Sequence, residues 1–393
     1  MRILITQARF GVGGTETYSM TVAEHLEQLG HEVTVGAAEV TPAGRELAAS
    51  RGVRLAVGDP GDFGEVDAVV VQDAASGYLL GARRPDLPQV SVIHGLERFE
   101  QPARLAPPPV AIVLNDRVGR HAAALAWKPE VVRLRQPIDT RRLRPRAPIG
   151  ERARRVLLLS NYLGEQRLEI LQNVCDELGM ELVKRGATGT TTTTPADAIA
   201  AADIVIGYGR SVLEGMAMGR AAYVWDHAGG DGWVTPETYP MLEADGFSGA
   251  ATDDVLDGER LRADLAAYGP RLGAFTFDLV RKHHSAVRHA ETLVALLGQA
   301  EVPLGGSDLE TISLLVRAEA RSSFRVSGFE TENQRIWREL GVRDDRAEAA
   351  EAALAAERQQ RLAAERQLAA VVDSRSWRLT RHLRRFGSLA RRG

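Results

Sequence analysis

The sequence contains a single cysteine, Cys175, and only 5% of its 393 residues are aromatic. One cysteine excludes an internal disulfide framework and fits a reducing compartment such as the cytoplasm. Because Cys175 lies in a helical pattern, we expect a buried structural thiol rather than a reactive one. Strong net charge is also lacking, since the total is -3, so we expect no general attraction to nucleic acid.

Long apolar runs are absent as well. No segment reaches the roughly 18 apolar residues that a membrane span requires. The first residues, MRILITQ, fall short of the apolar core of a signal peptide and instead predict a buried strand. With 44% hydrophobic and 26% charged residues, the chain is typical of a globular protein. Its length predicts two domains and an appendage.

Short apolar runs alternate with helical patterns along most of the chain. Because these runs are continuous and are separated by helices, they predict parallel sheets covered on both faces. We therefore predict an α/β protein with two Rossmann-like domains, 1–140 and 156–300, joined by a linker at 141–155 that is rich in proline and arginine. The predicted strands lie at 3–6, 31–37, 66–73, 89–95, 109–116, 156–161, 180–186, 203–209 and 221–226.

The C-terminal part differs in composition from the two domains. We predict a helical connector at 301–344 and a long Ala/Glu/Arg-rich helix at 345–373. A heptad frame places Glu357 and Arg361 on its seam, which makes a poor coiled coil and leaves a homodimer open. The tail at 374–393 contains seven arginines and no acid. It predicts a basic amphipathic helix on an anionic membrane surface, with a solvated tail or a partner-binding helix as alternatives.

Each predicted domain has one glycine-rich turn at the end of a strand. In the first, RFGVGGTETY, Gly13 and Gly14 let the backbone approach a ligand, and the following helix offers unpaired N–H groups. A tight structural turn explains these glycines equally well. Glu16 stands where a dinucleotide fingerprint requires a third glycine, which argues against a dehydrogenase.

The second turn lies in DIVIGYGRSVLEG. Gly207 and Gly209 form the turn, and Ser211 begins a helix that carries Glu214. A phosphate at this helix start would meet free N–H groups and the guanidinium of Arg210. The alternative is a solvated arginine followed by a surface glutamate.

These motifs resemble those of the nucleotide-sugar glycosyltransferases of GT-B fold, particularly the retaining family 4. The family's GG-x-E loop and GHEV sequence correspond to residues 13–16 and 30–33, and its strand that ends in histidine corresponds to SVIHG, with His94. Its interdomain junction resembles QPIDTRRLRP, and its donor motif resembles IGYGRSVLEGMAMGRAAYV. A GG loop follows at Gly229-Gly230. The tail SRSWRLTRHLR is similar to tails of bacterial polysaccharide glycosyltransferases.

The resemblance implies transfer of a sugar from a nucleoside diphosphate to a hydroxyl of a saccharide or lipid-linked acceptor, without a metal or other cofactor. It implies that Glu214 binds the ribose, that the Gly13-Gly14 loop lies beneath the phosphates, and that His94 holds the transferring sugar. His94 as a structural histidine stays open. The expected location is the cytoplasm or the inner face of the plasma membrane.

Two departures from the family pattern are visible. Ile206 replaces the first of the family's paired glutamates. Of the arginine and lysine with which the family binds the diphosphate, only the lysine has a counterpart, Arg167, and Arg210 is a candidate for a compensating cation. Asp231, in AGGDGWVTPE, is a further candidate for the cleft, although Thr235-Pro236 also reads as a plain helix start. A nucleotide-sugar 2-epimerase-like isomerase and a non-catalytic glycosyltransferase-like scaffold are therefore alternatives.

Overall fold

A computed structural model describes most of the chain. The described residues are 1–161, 163–186, 195–227, 229–252, 256–306, 308–323 and 345–372. The predicted basic tail at 374–393 and residues 324–344 of the predicted connector lie outside this set.

The first domain is built on a seven-stranded sheet in the order β3-β2-β1-β4-β5-β6-β7. All its pairings are parallel, which confirms the prediction from the continuous apolar runs. Two three-residue strands at its edges, β3 and β7, are too short to give a pattern in the sequence. The strands are β1 (Arg2–Phe10), β2 (Glu32–Val40), β3 (Leu55–Val57), β4 (Ala68–Val71), β5 (Gln89–Ile93), β6 (Val110–Val113) and β7 (Val131–Arg133).

Helices cover both faces of this sheet. Ile3 and Ile5 of β1 share an apolar cluster with Leu26 of the first helix, whereas Leu4 packs with Leu80 on the opposite face. This alternation follows from the period of two along a strand. The helices are α1 (Gly14–Gln28), α2 (Pro42–Arg51), α3 (Ala74–Arg83) and α4 (Asp116–Ala123), and short 3-10 helices lie at Pro60–Asp62 and Arg98–Glu100.

The second domain is built on a five-stranded sheet in the order β12-β11-β10-β8-β9. Its edge strand β12 runs antiparallel to β11 and contains Gly229 and Gly230, which the sequence had predicted to lie in a loop. A Cβ on Gly230 would lie 2.3 Å from Trp225 Cδ1, so packing against that indole explains this glycine. The strands are β8 (Arg155–Leu159), β9 (Glu181–Arg185), β10 (Ile204–Gly207), β11 (Ala221–Asp226) and β12 (Gly229–Trp233).

The helices of the second domain follow the predicted order. Cys175, in the first of them, is buried, and burial raises the pKa of its thiol to about 12, which confirms the expectation of an inert structural thiol. The helices are α5 (Glu165–Glu177), α6 (Ala196–Ala201), α7 (Arg210–Ala217), α8 (Tyr239–Asp245), α9 (Gly258–Ala266), α10 (Arg271–Ala274) and α11 (Thr276–His283).

The next two helices return to the first domain. Leu293 and Leu297 of α12 (Ala286–Gln299) belong to the apolar cluster of α1 and β1. Ile312 and Val316 of α13 (309–323) pack against Tyr78 of α3. The predicted domain boundary at residue 300 therefore differs from the packing, because the sequence pattern gives helices but not the sheet that each one covers.

The long helix α14 (Asp345–Val372) contacts the first domain through polar groups. Arg361 Nη2 forms an ion pair with Glu97 Oε2 at 2.9 Å, and Arg98 Nη1 donates to the Glu365 carbonyl at 3.2 Å. Among the described residues, no helix is long and apolar enough to cross a membrane.

Candidate functional site

A group of adjoining cavities begins where the two domains meet. The first, the central cavity, has a volume of about 300 Å³ and lies at the carboxyl ends of strands from both sheets. Ligands of open α/β sheets bind in this position. Its wall includes Gly14, Thr15, His94 and Asn115 from the first domain and Tyr208, Gly209, Ser211 and Phe247 from the second.

Two further cavities adjoin the central one. The linker cavity, of about 430 Å³, extends along the interdomain linker, and Gly14, Arg210 and Ser211 belong to both walls. Its other lining residues include Gly13, Thr21, Arg51, Asp139, Arg142 and Glu214. The side cavity, of about 140 Å³, lies between the first sheet and α13, and its lining includes Gln7, Arg9, Glu16, Gln72, Asp73, His94, Glu100 and Arg317.

The first glycine-rich turn places the start of α1 against these cavities. Gly13 is the N-cap residue of α1. Because glycine has no side chain, it does not cap the first N–H groups of the helix. Glu16 bends back over the turn, where its Oε1 accepts a hydrogen bond from Gly11 N at 3.0 Å. Burial raises the pKa of Glu16. Glu16 therefore fixes the shape of the turn. Its side chain also forms part of the wall of the side cavity.

The second glycine-rich turn places the start of α7 on the opposite side. Gly209 has a φ of +55°, which L side chains rarely adopt, and its N–H donates to the Phe247 carbonyl at 2.8 Å. A Cβ on Gly207 would lie 2.8 Å from the Leu159 carbonyl oxygen. Both glycines are therefore required by the turn itself, and they bring Ser211 to the walls of two cavities.

This architecture can be compared with solved structures. Neither a protein-family model nor a curated protein matches the chain. A glycosyltransferase from Rickettsia africae ESF-5 has a similar structure, with a TM-score of 0.53 at 12% sequence identity, over 76% of this chain and 98% of that chain. The fold is GT-B.

Other GT-B structures match over the same share of the chain. Anabaena Alr3699/HepE in complex with UDP-glucose has a TM-score of 0.49 at 13% identity, covering 76% of this chain and 100% of that chain. AviGT4, a glycosyltransferase involved in avilamycin A biosynthesis, has a TM-score of 0.48 at 14% identity, covering 76% and 97%.

In the GT-B cleft, Arg210 and Glu214 form a buried pair. Arg210 Nε donates to Glu214 Oε1 at 2.9 Å, and their side chains are 8% and 9% exposed. Arg210 Nη1 donates to the Pro137 carbonyl at 2.8 Å and Nη2 to Thr21 Oγ1 at 3.1 Å. The sequence predicted a guanidinium open to a phosphate. Arg210 lines the central and linker cavities, but its donors instead bind Glu214, the Pro137 carbonyl and Thr21.

His94 lies at the end of β5, where the central and side cavities meet. Its Nε2 hydrogen-bonds Gln72 Oε1, and its ring makes an edge contact with Tyr18 at 5.1 Å between centroids. Because an amide oxygen only accepts, this contact assigns the proton to Nε2. Burial lowers the pKa of His94 to about 3, so the imidazole is neutral near pH 7 and presents Nδ1 as an acceptor.

Two sequence candidates, Arg167 and Asp231, and the departure from the family pattern at Ile206 lie away from the cavities named above, as far as the described residues reach. Arg167 donates from Nη1 to the carbonyls of Asp226 and Gly229, where it joins the start of β12 to α5. Asp231 Oδ1 accepts from the N–H groups of Ala251 and Thr252 at 3.1 and 3.0 Å. Ile206 is fully buried in the core of the second domain. The sequence did not reveal the partners of Arg167 and Asp231, because most are backbone groups and all are distant in the chain.

Other residues of the cleft gave no recognised signal in the sequence. Glu243 of α8 forms ion pairs with Arg133 at 2.7 Å and Arg135 at 3.2 Å, and these pairs join the two domains. Glu100 lies in the wall of two cavities. The spacing of Glu97 and Glu100 is that of a capping box, which is a usable local signal.

Among the described residues, no group of three His, Cys, Asp or Glu side chains is arranged to hold a metal ion.

Proposed function

We propose that this protein is a glycosyltransferase that moves a sugar from a nucleoside-diphosphate donor to a hydroxyl of a saccharide or lipid-linked acceptor. One observation carries the proposal: the first turns of α1 and α7, from different domains of a GT-B fold, line the same cavity. Helix N-termini bind anions through free N–H groups and a positive dipole end. Two helix N-termini that face one cleft can together bind the two phosphate groups of a diphosphate.

The three cavities suggest how the substrates are arranged. The nucleoside would occupy the linker cavity, where Glu214 would accept hydrogen bonds from the ribose hydroxyls. The diphosphate would lie between Gly14 and Ser211, and the sugar would occupy the central cavity beside His94. The backbone amides, rather than Arg210 or Arg167, would stabilise the charge that develops on the leaving diphosphate.

The finer features of the activity are proposals of the same kind. Stabilisation by amides requires neither a metal nor another cofactor, and the family resemblance suggests retention at the anomeric carbon. The product of a reaction with UDP-glucose, analysed by NMR, would give the anomeric outcome. Dialysis against EDTA is expected to leave the rate unchanged.

The tail at 374–393 suggests where the protein acts. We propose that its arginines hold the enzyme on the anionic inner face of the plasma membrane, near a lipid-linked or polysaccharide acceptor. Deletion of 374–393 should abolish sedimentation with vesicles that contain anionic phospholipid and leave the thermal unfolding of the domains intact. Equal sedimentation of the truncated chain would refute this location.

A non-catalytic scaffold is the second candidate, and specific observations favour it. Ile206 buries an apolar side chain where the family has a donor-binding glutamate, and Arg167 is engaged by backbone carbonyls. A scaffold of this kind would bind other proteins through α14 and the tail and would not bind a donor.

Thermal shift with UDP, GDP and dTDP, followed by incubation with their sugars, tests both candidates. A ligand at 100 times its Kd stabilises the native state by about 2.7 kcal/mol. A glycosyltransferase should also release nucleoside diphosphate at a rate that depends on an added acceptor. Absence of any shift would favour the scaffold, and conversion of the donor sugar without acceptor would indicate an isomerase.

A further inference from the structure

Glu100 lies where two of the cavities meet. Thr15, His94 and Glu100 line both the central and the side cavity. If the donor sugar occupies the central cavity, an acceptor that enters the side cavity must meet it at this boundary. A group that handles the acceptor's proton has to stand here, within hydrogen-bond reach of the attacking hydroxyl.

The local sequence holds Glu100 in this position. It ends the 3-10 helix Arg98–Glu100, and its Oε2 accepts a hydrogen bond from Glu97 N at 3.2 Å in a capping box. Gly95, directly after His94, makes room for the carboxylate, since an added Cβ would lie 2.8 Å from Glu100 Oε1 and closer still to Oε2. The glycine thereby allows a carboxylate to lie beside the end of β5.

The other acids in the wall of the side cavity have stronger local partners. Asp73 accepts from Ala8 N at 2.7 Å and from Ser76 N at 2.9 Å. Glu16 accepts from Gly11 N at 3.0 Å. In the described part of the chain, the single recorded donor to Glu100 is the Glu97 N–H, at 3.2 Å. The Glu100 carboxylate therefore has the most remaining capacity to accept a proton from a substrate.

The electrostatic surroundings match this role. Burial raises the pKa of Glu100 to about 7. The hydrogen bond from the Glu97 N–H opposes this rise, and the negative charge of the Glu97 carboxylate adds to it. A general base is most effective when its pKa lies near the working pH. Beside it, His94 has its pKa lowered to about 3 and is a poor base. The titratable side chains that share these walls include Glu16 of α1, Asp73 before α3, His94, Arg117 of α4, and Arg317 and Arg321 of α13.

We propose that Glu100 is the catalytic base that takes the proton from the acceptor hydroxyl, which enters through the side cavity. This inference rests on the proposed glycosyltransferase function. As the acceptor oxygen forms its bond to the anomeric carbon, on the face that the diphosphate leaves so that the configuration is retained, its proton passes to a Glu100 oxygen. The bond between the anomeric carbon and the diphosphate oxygen breaks, and its electron pair leaves with the diphosphate.

The test compares Glu100→Gln with Glu97→Gln in the full chain. Glutamine at position 100 retains the capping bond to Glu97 N but cannot take the proton, and Glu97 belongs to the same turn but to neither cavity. The donors are UDP-, GDP- and dTDP-sugars, and the acceptors are methyl glycosides and short saccharides. Release of nucleoside diphosphate measures transfer, and thermal shift with the free diphosphate measures donor binding.

We expect Glu100→Gln to reduce acceptor-dependent release by roughly 10²- to 10⁴-fold, with donor binding within about twofold of the wild type. The wild-type rate should fall below about pH 7 as Glu100 is protonated, and the residual rate of the variant should lose this dependence. Glu97→Gln should retain the rate at high pH and should keep the pH dependence, moved to slightly lower pH because the Glu97 charge contributes to the raised pKa of Glu100. Gly95→Ala, which displaces the carboxylate but keeps its charge, should also reduce transfer.

The outcomes separate this inference from the function on which it rests. If the wild type transfers sugar and Glu100→Gln does so within threefold, or with the same pH dependence, Glu100 is not the base and the glycosyltransferase proposal stands. If the wild type binds no nucleoside diphosphate and transfers nothing, both proposals fall together.

Discussion

Arg210 and Thr21 belong to different domains, and Arg210 Nη2 donates a hydrogen bond to Thr21 Oγ1 at 3.1 Å. The same guanidinium donates to the Pro137 carbonyl, in the segment between β7 and the linker, and to Glu214 of its own helix. One side chain thus joins α1, this segment and α7 at the cleft. Opening the cleft would break the bond to Thr21, so the position of Arg210 couples the two domains.

Substitution of Arg210 should be strongly destabilising. Arg210→Gln leaves the buried carboxylate of Glu214 without its cation, and loss of one partner of a buried ion pair costs about 3–5 kcal/mol. The measurement is the free energy of unfolding in urea. The double variant Arg210→Gln/Glu214→Gln should lose less than the two single variants together, because it leaves no unpaired charge.

An exposed pair on another helix provides the control. Arg281 and Asp278 are 3.2 Å apart, with side chains 65% and 70% exposed. Because solvent screens such a pair, Arg281→Gln should change the free energy of unfolding by at most about 1 kcal/mol. A similar effect at positions 210 and 281 would contradict the structural role of the buried pair.

Gly14 separates donor binding from stability. A Cβ at this position meets no atom within 4 Å, and Gly14 lines the central and linker cavities. Gly14→Ala should therefore leave the free energy of unfolding unchanged or slightly raised. The added methyl group would stand where the phosphates approach the helix, and we expect it to weaken nucleoside diphosphate binding by roughly tenfold, on the scale of 1–3 kcal/mol for overpacking.

Gly298 of α12 supplies a matched control, because its Cβ would also meet nothing within 4 Å. Gly298→Ala should stabilise the helix by about 0.5–1 kcal/mol and leave the affinity unchanged. Titration calorimetry with UDP, GDP and dTDP would measure both. Wild-type affinity in Gly14→Ala would mean that the phosphates lie elsewhere.

Two buried histidines bind neighbouring carbonyls of the segment that follows β7. His289 Nδ1 donates to the Arg135 carbonyl at 3.0 Å and its Nε2 accepts from Tyr18 at 2.8 Å. His284 Nδ1 donates to the Gln136 carbonyl at 2.9 Å and its Nε2 accepts from Tyr239 at 2.9 Å. Since a carbonyl only accepts, these contacts place a proton on Nδ1 of each ring. Burial lowers the pKa of both rings, which are therefore neutral near pH 7 and accept at Nε2.

This arrangement predicts a loss of stability in mild acid. Burial lowers the pKa of His289 to about 4 and that of His284 and His94 to about 3. Between these values and the ordinary 6.5, the unfolded chain binds more protons than the native protein. The contribution of the three histidines to stability is therefore fully present above about pH 6.5. As the pH falls between 6.5 and the lowered pKa values, the free energy of unfolding decreases by up to about 4 kcal/mol per pH unit, because the unfolded chain binds up to three more protons.

Urea unfolding from pH 4.5 to 7.5 measures this slope. His284→Gln and His289→Gln should each reduce this slope by about one proton. A slope equal to that of the wild type in both buried variants would show that other groups cause the acid sensitivity.

The sequence predicted most strands and both glycine-rich turns, because a continuous apolar run and a glycine at a strand end are local signals. It failed where the partner is distant in the chain. Arg167 and Asp231 bind backbone groups that no motif records, and α12 returns to the first sheet without any change in its own pattern. Glu100 has only a capping-box spacing to mark it, and its burial between two cavities depends on the fold.

The burial of Glu100 should also lower the stability of the protein at high pH. Its pKa in the folded protein, about 7, exceeds the ordinary value of 4.5. The folded state therefore binds the proton more tightly than the unfolded chain, and this contribution is complete below about pH 4.5 and lost as the pH rises through 7. Glu100→Gln, which removes the titration, should be more stable than the wild type at pH 8 by about 1–3 kcal/mol, after allowance for partial solvent screening.

The measurement is the difference in free energy of unfolding between Glu100→Gln and the wild type, at pH 5 and at pH 8. This difference reports the contribution of Glu100, because the histidine contributions are the same in both proteins and cancel. We expect the difference to favour the variant more at pH 8 than at pH 5. Such a gain in stability, together with a loss of transfer, is expected of a carboxylate that is buried for catalysis rather than for the fold. A difference that does not vary with pH would mean that Glu100 has an ordinary pKa, and the pH dependence expected of the transfer reaction would then require another group.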